Sequence, residues 1–258
     1  MPKFAANLTM LFTEKPFMAR FDAAAQAGFS SVEFLFPYAQ EIHALQQKLS
    51  ENQLNVALFN APAGNWELGE RGLAAIVGRE DEFRLSIKTA LQYGKALDVP
   101  RIHVMSGIAP VGGNVTFDEK LFIENIRWAA DEFANVGIEL LLEPLNQRDN
   151  PGYFLSDYNK AIALISAVDR PNVKLQFDFY HAQIIAGDLS ENFKYLLPLI
   201  GHIQIASIPQ RNEPNEGEVN YSYLFDLIDK LGYTGIIGCE YNPKTTTDAG
   251  IGWVRPYL

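Results

Sequence analysis

The sequence predicts a closed (β/α)8 barrel, the TIM-barrel class of α/β fold, as a single domain over residues 1–258. Three observations lead there. Eight short apolar or β-branched segments alternate with stretches of helical period, and strict alternation of this kind makes parallel strands covered by helices. The length of 258 residues matches the roughly 250 that one such barrel takes. No low-complexity tract or composition shift marks a linker.

The first strand is expected at 4–10, where Phe4-Ala5-Ala6-Asn7-Leu8 is too short and interrupted for a secretory leader. A helix from Phe17 to Ala27 follows, closed by Gly28, and the second strand at 31–36 leads to a helix from Ala39 to Gln53. After a third strand at 55–60 comes the longest connection, Asn60 to Arg79, with Pro62, Gly64, Trp66, Gly69 and Gly72. A loop of this length carrying a tryptophan reads as a lid. The next helix, Glu82 to Leu97, is stopped by Pro100 ahead of a strand at 101–106. The helix from Asp118 to Val136 ends at Gly137, before a strand at 138–144. The helix from Asp157 to Val168 is stopped by Pro171, before a strand at 173–179. Helices from Glu191 to Leu199 and from Tyr221 to Leu231, the latter closed by Gly232, precede strands at 202–207 and 235–241. Glycine just past a helix accepts the positive φ that ends it, and proline cannot continue the helix.

Charge and cysteine content narrow the function classes. With 31 acidic against 21 basic side chains, the net charge of −10 repels nucleic acid and anionic membrane alike. The lone Cys239 excludes an internal disulfide and multi-cysteine metal sites, and it fits a reducing compartment, so cytoplasm is expected. No apolar run reaches the roughly 18 residues of a membrane span. A small-molecule substrate is the expected partner, and a homo-oligomer is left open.

Strands of a parallel barrel are buried on both faces, so polar residues inside them need a reason. Leu140 and Leu142 oppose Glu143 in parity; Val173, Leu175, Phe177 and Phe179 oppose Gln176, Asp178 and Tyr180; Ile203 and Ile205 oppose His202 and Gln204; Ile237, Cys239 and Tyr241 oppose Glu240. With the apolar parity against the helices, Glu143, Asp178, Gln204 and Glu240 point inward near the C-terminal strand ends, where barrel enzymes keep their chemistry. Three carboxylates in a partly dry cavity repel one another unless protons or a cation neutralise them. A divalent cation is the simpler solution, and four oxygen donors select Mg²⁺ or Mn²⁺. The competing reading is an interior salt-bridge network.

His181 and Arg211 fall just beyond strand ends, within reach of a substrate, and Arg211 suits a carboxylate or hydroxyl. Inward parity also directs Asn7, Glu33 and His103 toward the cavity, and Glu67, beside Trp66, is placed to descend on a polar substrate. His202 lies lower in the barrel as a buried neutral histidine, His43 belongs to the surface, and Trp128 and Trp253 are packing residues.

At these positions the chain resembles the hydroxypyruvate isomerase family, within the xylose-isomerase-like barrels. Its carriers are Glu143-Pro144-Leu145-Asn146, Phe177-Asp178-Phe179-Tyr180-His181, His202-Ile203-Gln204-Ile205-Ala206, Pro209-Gln210-Arg211-Asn212-Glu213-Pro214 with Gly217-Glu218, and Gly238-Cys239-Glu240-Tyr241. The resemblance covers the whole chain and is nearest to the family's 2-oxo-tetronate isomerases. It implies that Glu143, Asp178, Gln204 and Glu240 ligate a divalent metal, and that Glu143 and Glu240 act as proton donor and acceptor. Related ketose epimerases carry histidine where Gln204 stands, which favours Mg²⁺ here.

The implied reaction moves a carbonyl between neighbouring carbons of a 2-oxo hydroxy acid through an enediolate. The alternatives are hydroxypyruvate isomerisation, ketose epimerisation and a non-catalytic sugar-acid binding module. A barrel phosphodiesterase of the endonuclease type needs a histidine-rich multi-zinc site, against which stand four histidines and the net charge of −10. A nicotinamide enzyme needs a G-x-G-x-x-G after a strand, and the sequence has none.

Overall fold

Strands β1 (Lys3–Asn7), β2 (Ser31–Phe34), β3 (Asn55–Asn60), β4 (Arg101–His103), β5 (Glu139–Leu142), β6 (Val173–Asp178), β7 (Ile200–Ile205) and β8 (Ile236–Cys239) follow one another in chain order around a closed barrel. These coordinates are a computed structural model that describes residues 1–108 and 115–258. All pairings are parallel, and β8 closes on β1 with Phe4 opposite Ile237 and Ala6 opposite Cys239. Two register irregularities fall at Val32/Glu33 and Leu175/Gln176, beside two of the polar residues that enter the interior, and such bulges re-aim side chains.

The helices are α1 (Phe17–Gln26), α2 (Ile42–Asn52), α3 (Glu80–Ala96), α4 (Glu119–Ala134), α5 (Tyr158–Val168), α6 (Phe179–Ile185), α7 (Leu189–Leu196), α8 (Tyr221–Lys230) and the short α9 (Thr247–Gly250). Their starts are chemically marked. Asp118 accepts hydrogen bonds from the Lys120 and Leu121 amides, Asp157 from Lys160 and Asn220 from Tyr223, each satisfying amides that a helix leaves unpaired. Gly137 and Gly232 stand at φ +74° and +77°, as the expected helix ends require.

The apolar strand parity faces the helices. Leu140, Leu142, Leu175, Phe177, Ile203 and Ile205 are fully buried. The Phe177 ring lies 5.4 Å from Tyr158 of α5 and 5.8 Å from Phe193 of α7, and a buried phenylalanine of this kind contributes about 1.5–3 kcal/mol. Trp128 and Trp253 pack as expected, against Phe83 and against Phe4 and Phe225. Among the described residues, no helix is long and apolar enough to cross a membrane.

Two expectations are corrected. The sixth strand ends at Asp178, one residue early, and the chain turns at once into α6, which the sequence reading lacks. Asp178 Oδ1 accepts from the Tyr180 amide at 2.8 Å and caps that helix; the apolar pair Phe177 and Phe179 imitates a strand and hides the turn. The connection after β3 is not a free lid. Gly72 bridges to Ser106 and Ile76 to Phe117, and Leu73, Ala74, Ala75 and Ile76 are buried. Gly72 has φ +106°, and a Cβ there would lie 2.2 Å from the Met105 carbonyl oxygen, so glycine lets the loop lie flat on the segment after β4. The turn at Trp66–Leu68 holds no buried residue.

Candidate active site

The C-terminal strand ends open into a cavity of about 250 Å³, lined by Glu143, Glu240, His103, His181, Gln176 and Arg211 among others, with Trp66 and Arg71 at its mouth. Two layers of polar side chains underlie it.

The lower layer is centred on Glu33 of β2. Its Oε1 accepts from Asn7 Nδ2 at 2.9 Å and from Gln204 Nε2 at 2.8 Å, and its Oε2 accepts from His202 Nε2 at 2.8 Å. Both oxygens are therefore used, as a buried carboxylate requires. His202 is wholly buried, in the low position expected of it.

The upper layer is less complete. Glu143 sits one residue past β5, Asp178 ends β6, and Glu240 sits one residue past β8; all three are buried. Gln176 Nε2 donates to Glu143 Oε2 at 2.9 Å and to Gln204 Oε1 at 2.6 Å. Arg211 Nη2 donates to Glu240 Oε2 at 2.5 Å and approaches Asp178 Oδ2 at 3.4 Å. Glu143 Oε1, Gln176 Oε1 and both ring nitrogens of His103 have no partner among the described residues. Unpaired buried polar atoms are costly, and in a cavity they mark places for a ligand.

His181, on α6, accepts through Nδ1 from the Asn146 amide at 3.1 Å. A neutral imidazole that accepts at Nδ1 carries its proton on Nε2, and Nε2 faces Asp178 Oδ2 at 3.7 Å. His181 is thus a donor toward the cavity. Burial, reinforced by the positive charge of Arg211, holds its pKa well below the ordinary histidine value.

Burial raises the acids. Glu143 is pushed well above the usual carboxylate range, first by desolvation and then by Glu240 and Asp178. Burial also lifts Asp178 to about 6 and Glu240 to about 8, in both cases against the pull of Arg211. His103 falls to about 3 through burial and the neighbouring His202. Arg211 stays protonated: burial opposes its charge, but Glu240, Asp178 and Glu143 raise its pKa further still. One guanidinium therefore faces the carboxyls of Glu143, Asp178 and Glu240, a deficit of positive charge that a divalent cation would fill. The carboxylate oxygens of Glu143 and Asp178 suit a hard ion, with the His181 imidazole beside them.

The structure sorts the expected residues. Glu143, Asp178, Glu240, His103, His181 and Arg211 meet at the cavity or its wall, whereas Gln204 reaches the acids through Gln176 and has both ends of its amide engaged. The atoms within one ion's reach, 4.8 Å of one another, belong to Glu143, Asp178 and His181; Glu240 is instead turned onto Arg211. Asn7, expected to meet substrate, is spent on Glu33 beneath the cavity. Glu67 is exposed on the turn after Asn65 and does not line the cavity, because the turn directs Trp66 and Arg71 inward instead. Motif and spacing do not single out Arg71, Asp149 or Gln176 as site residues, yet all three line the cavity. Gln176 shares the parity of Asp178 and was legible to that extent. Asp149 accepts from Tyr180 Oη at 2.6 Å, and that hydroxyl also accepts from Arg148 Nη2 at 3.0 Å, a contact between the loop after β5 and α6 that no local pattern signals.

Comparison with known proteins agrees with this geometry. A family model for xylose isomerase-like TIM barrels matches residues 21–257. The chain is 49% identical to the 2-oxo-tetronate isomerase of Cupriavidus necator, covering 100% of this chain and 99% of the relative. It is 45% identical to the hydroxypyruvate isomerase of Escherichia coli K12, covering 100% of each. A crystal structure from Brucella melitensis, described as an AP endonuclease of family 2, superposes with a TM-score of 0.96 at 49% identity, covering 100% of this chain and 99% of that one. The cavity, the strand order and these full-length likenesses agree: the chain is an isomerase that belongs to the xylose isomerase-like TIM-barrel family, in the group of the 2-oxo-tetronate and hydroxypyruvate isomerases.

Proposed function

We propose that the protein interconverts 2-oxo-tetronate and 3-oxo-tetronate in a reaction that depends on Mg²⁺ or Mn²⁺. The observation that carries this reading is the trio of buried carboxyls on β5, β6 and β8, with unpartnered oxygen in a cavity that supplies little positive charge. The names of the relatives supply the substrate class.

The proton on C3 passes to a carboxylate, and its bonding pair forms the C2=C3 double bond while the C2 carbonyl pair moves onto O2. O2 takes up a proton as O3 gives one up. A proton then returns to C2, leaving the carbonyl at C3. Glu143 and Glu240, on strands well separated around the rim, flank a substrate held between them and serve as the proton-transferring pair. A positioned acid or base contributes typically about 10²–10⁴-fold. Arg211, against Glu240 Oε2, keeps that carboxyl oriented. His181 Nε2 donates toward the substrate oxygens. His103, neutral and without partners, offers one donor and one acceptor to the hydroxyls. Glu143 and Asp178 would hold a divalent cation, joined by Glu240 and Gln204 if these turn from Arg211 and Gln176, and the ion would supply positive charge against the negative charge that develops on oxygen.

The test is incubation of the Mg²⁺-loaded protein with 2-oxo-tetronate or hydroxypyruvate in D₂O, followed by NMR. Deuterium entry at C2 or C3 with formation of 3-oxo-tetronate is the expected result. Turnover of hydroxypyruvate at a higher kcat/KM would move the assignment to the three-carbon substrate. No exchange with either compound would point to a binding protein.

A further inference from the structure

Two arginines reach the cavity from opposite sides of the mouth, Arg211 from the loop after β7 and Arg71 from the loop after β3. Their commitments differ. Arg211 faces Asp178 and Glu240. Arg71 lies over the Trp66 ring, 3.5 Å from its centroid, and through Nη1 donates to the carbonyls of Trp66 and Glu70 at 3.1 and 2.8 Å. Its Nε and Nη2 donate to no group among the described residues, and no carboxylate there lies within ion-pair distance of it.

The acid next to it in sequence is deliberately occupied elsewhere. Glu70 pairs with Arg79 at 2.8 Å and accepts from the Asn65 amide at 2.6 Å. The following residue is clamped, since the Gly72 amide donates to the Ala63 carbonyl at 2.9 Å and the glycine lies against Met105. Arg71 is therefore held by stacking on one face and by backbone on one edge, with a donor edge left over. A half-buried guanidinium without an acid partner, beside a cavity otherwise rich in acids, is built to meet an anion.

We propose that Arg71 is the specificity residue that receives the substrate's carboxylate through its free Nε and Nη2 edge. The inference rests on the keto-acid reading above and deepens it. A carboxylate is repelled by Glu143, Asp178 and Glu240; Arg211 donates to two of these through Nη2 and its unpartnered Nε is buried, so the opposite side of the mouth, at Arg71, is the more favourable place for it. Docking the carboxylate there turns the neighbouring carbons toward the acids on β5 and β8. A ketose of equal length, with a hydroxymethyl group in place of the carboxylate, gains nothing from Arg71.

The test compares the wild type with Arg71→Met and Arg71→Lys in steady-state kinetics on 2-oxo-tetronate, and in calorimetric binding of hydroxymalonate and of neutral erythrulose. Arg71→Met is expected to raise KM at least tenfold while kcat falls far less, with part of the loss recovered in Arg71→Lys. Hydroxymalonate should bind at least tenfold more weakly, and erythrulose binding should not change. An unchanged KM, or equal weakening of hydroxymalonate and erythrulose, would overturn the proposal and leave the isomerase reading standing. If the wild type turns over no keto acid, the reading of the reaction fails and hydroxymalonate binding decides alone. Weaker binding in Arg71→Met upholds the carboxylate site, whereas equal or absent binding refutes it.

Discussion

The floor and the rim of the barrel both hold buried acids, and they differ in how their hydrogen bonds close. Glu33 in the floor has each oxygen occupied, by Asn7, Gln204 and His202. Glu143 at the rim shares one oxygen with Gln176 and leaves the other without a partner. A completed network fixes structure, whereas an incomplete one stores a charge deficit that a ligand relieves. Inward parity is common to both layers and does not separate them; satisfaction of the carboxylate oxygens does.

Substitutions should divide along that line. Glu240→Gln or Glu143→Gln is expected to lower kcat by about 10²–10⁴-fold, the scale of a lost acid or base, with the fold retained because the amide keeps the shape of the side chain and an acceptor oxygen, which at position 240 still faces Arg211. A loss of fold in both variants would erase the distinction between rim and floor. Glu33→Ala should do the opposite: removal of a buried carboxylate whose two oxygens hold Asn7, Gln204 and His202 costs about 3–5 kcal/mol, read as a lower midpoint in urea denaturation. Wild-type stability in that variant would show the floor to be no framework.

The rim also has a pH signature. Asp178 and Glu240 titrate near 6 and 8 in the folded chain, above their ordinary 3.8 and 4.5. The folded state then binds more protons than the unfolded state in the interval between, so stability falls as pH rises from about 4 to 8. Denaturation of chelator-treated protein across that range should show the fall, and excess Mg²⁺ should flatten it. A metal-free protein that gains stability over the same range would contradict the charge deficit. The smallest effect is expected at Glu67, exposed and away from the cavity: Glu67→Ala should change stability by less than about 0.5 kcal/mol and leave KM unaltered. A shifted KM would return the turn to the site.

Much of this was legible in the sequence because barrel strands announce themselves by parity and their helices by caps and terminal glycines. Glu143, Asp178 and Glu240 stood out as acids in runs that burial on both faces should keep apolar. The turn into α6 did not show, since Phe179 continues the alternation of β6 and the signal for the turn is a hydrogen bond from the Tyr180 amide to Asp178. Nor did the inward course of Arg71, which depends on Gly72 lying against Met105, a contact between two loops. Glu67 and Arg71 are equally polar and four residues apart; only the tertiary path of the loop tells which one enters.

The central claim is that the rim acids hold one divalent cation on which turnover depends. Titration of chelator-treated protein with Mn²⁺, followed by electron paramagnetic resonance alongside isomerase activity, tests it most directly. One bound ion per chain, with activity returning in proportion and both lost in Asp178→Asn, is the predicted result. Full turnover by protein that binds no ion would contradict it.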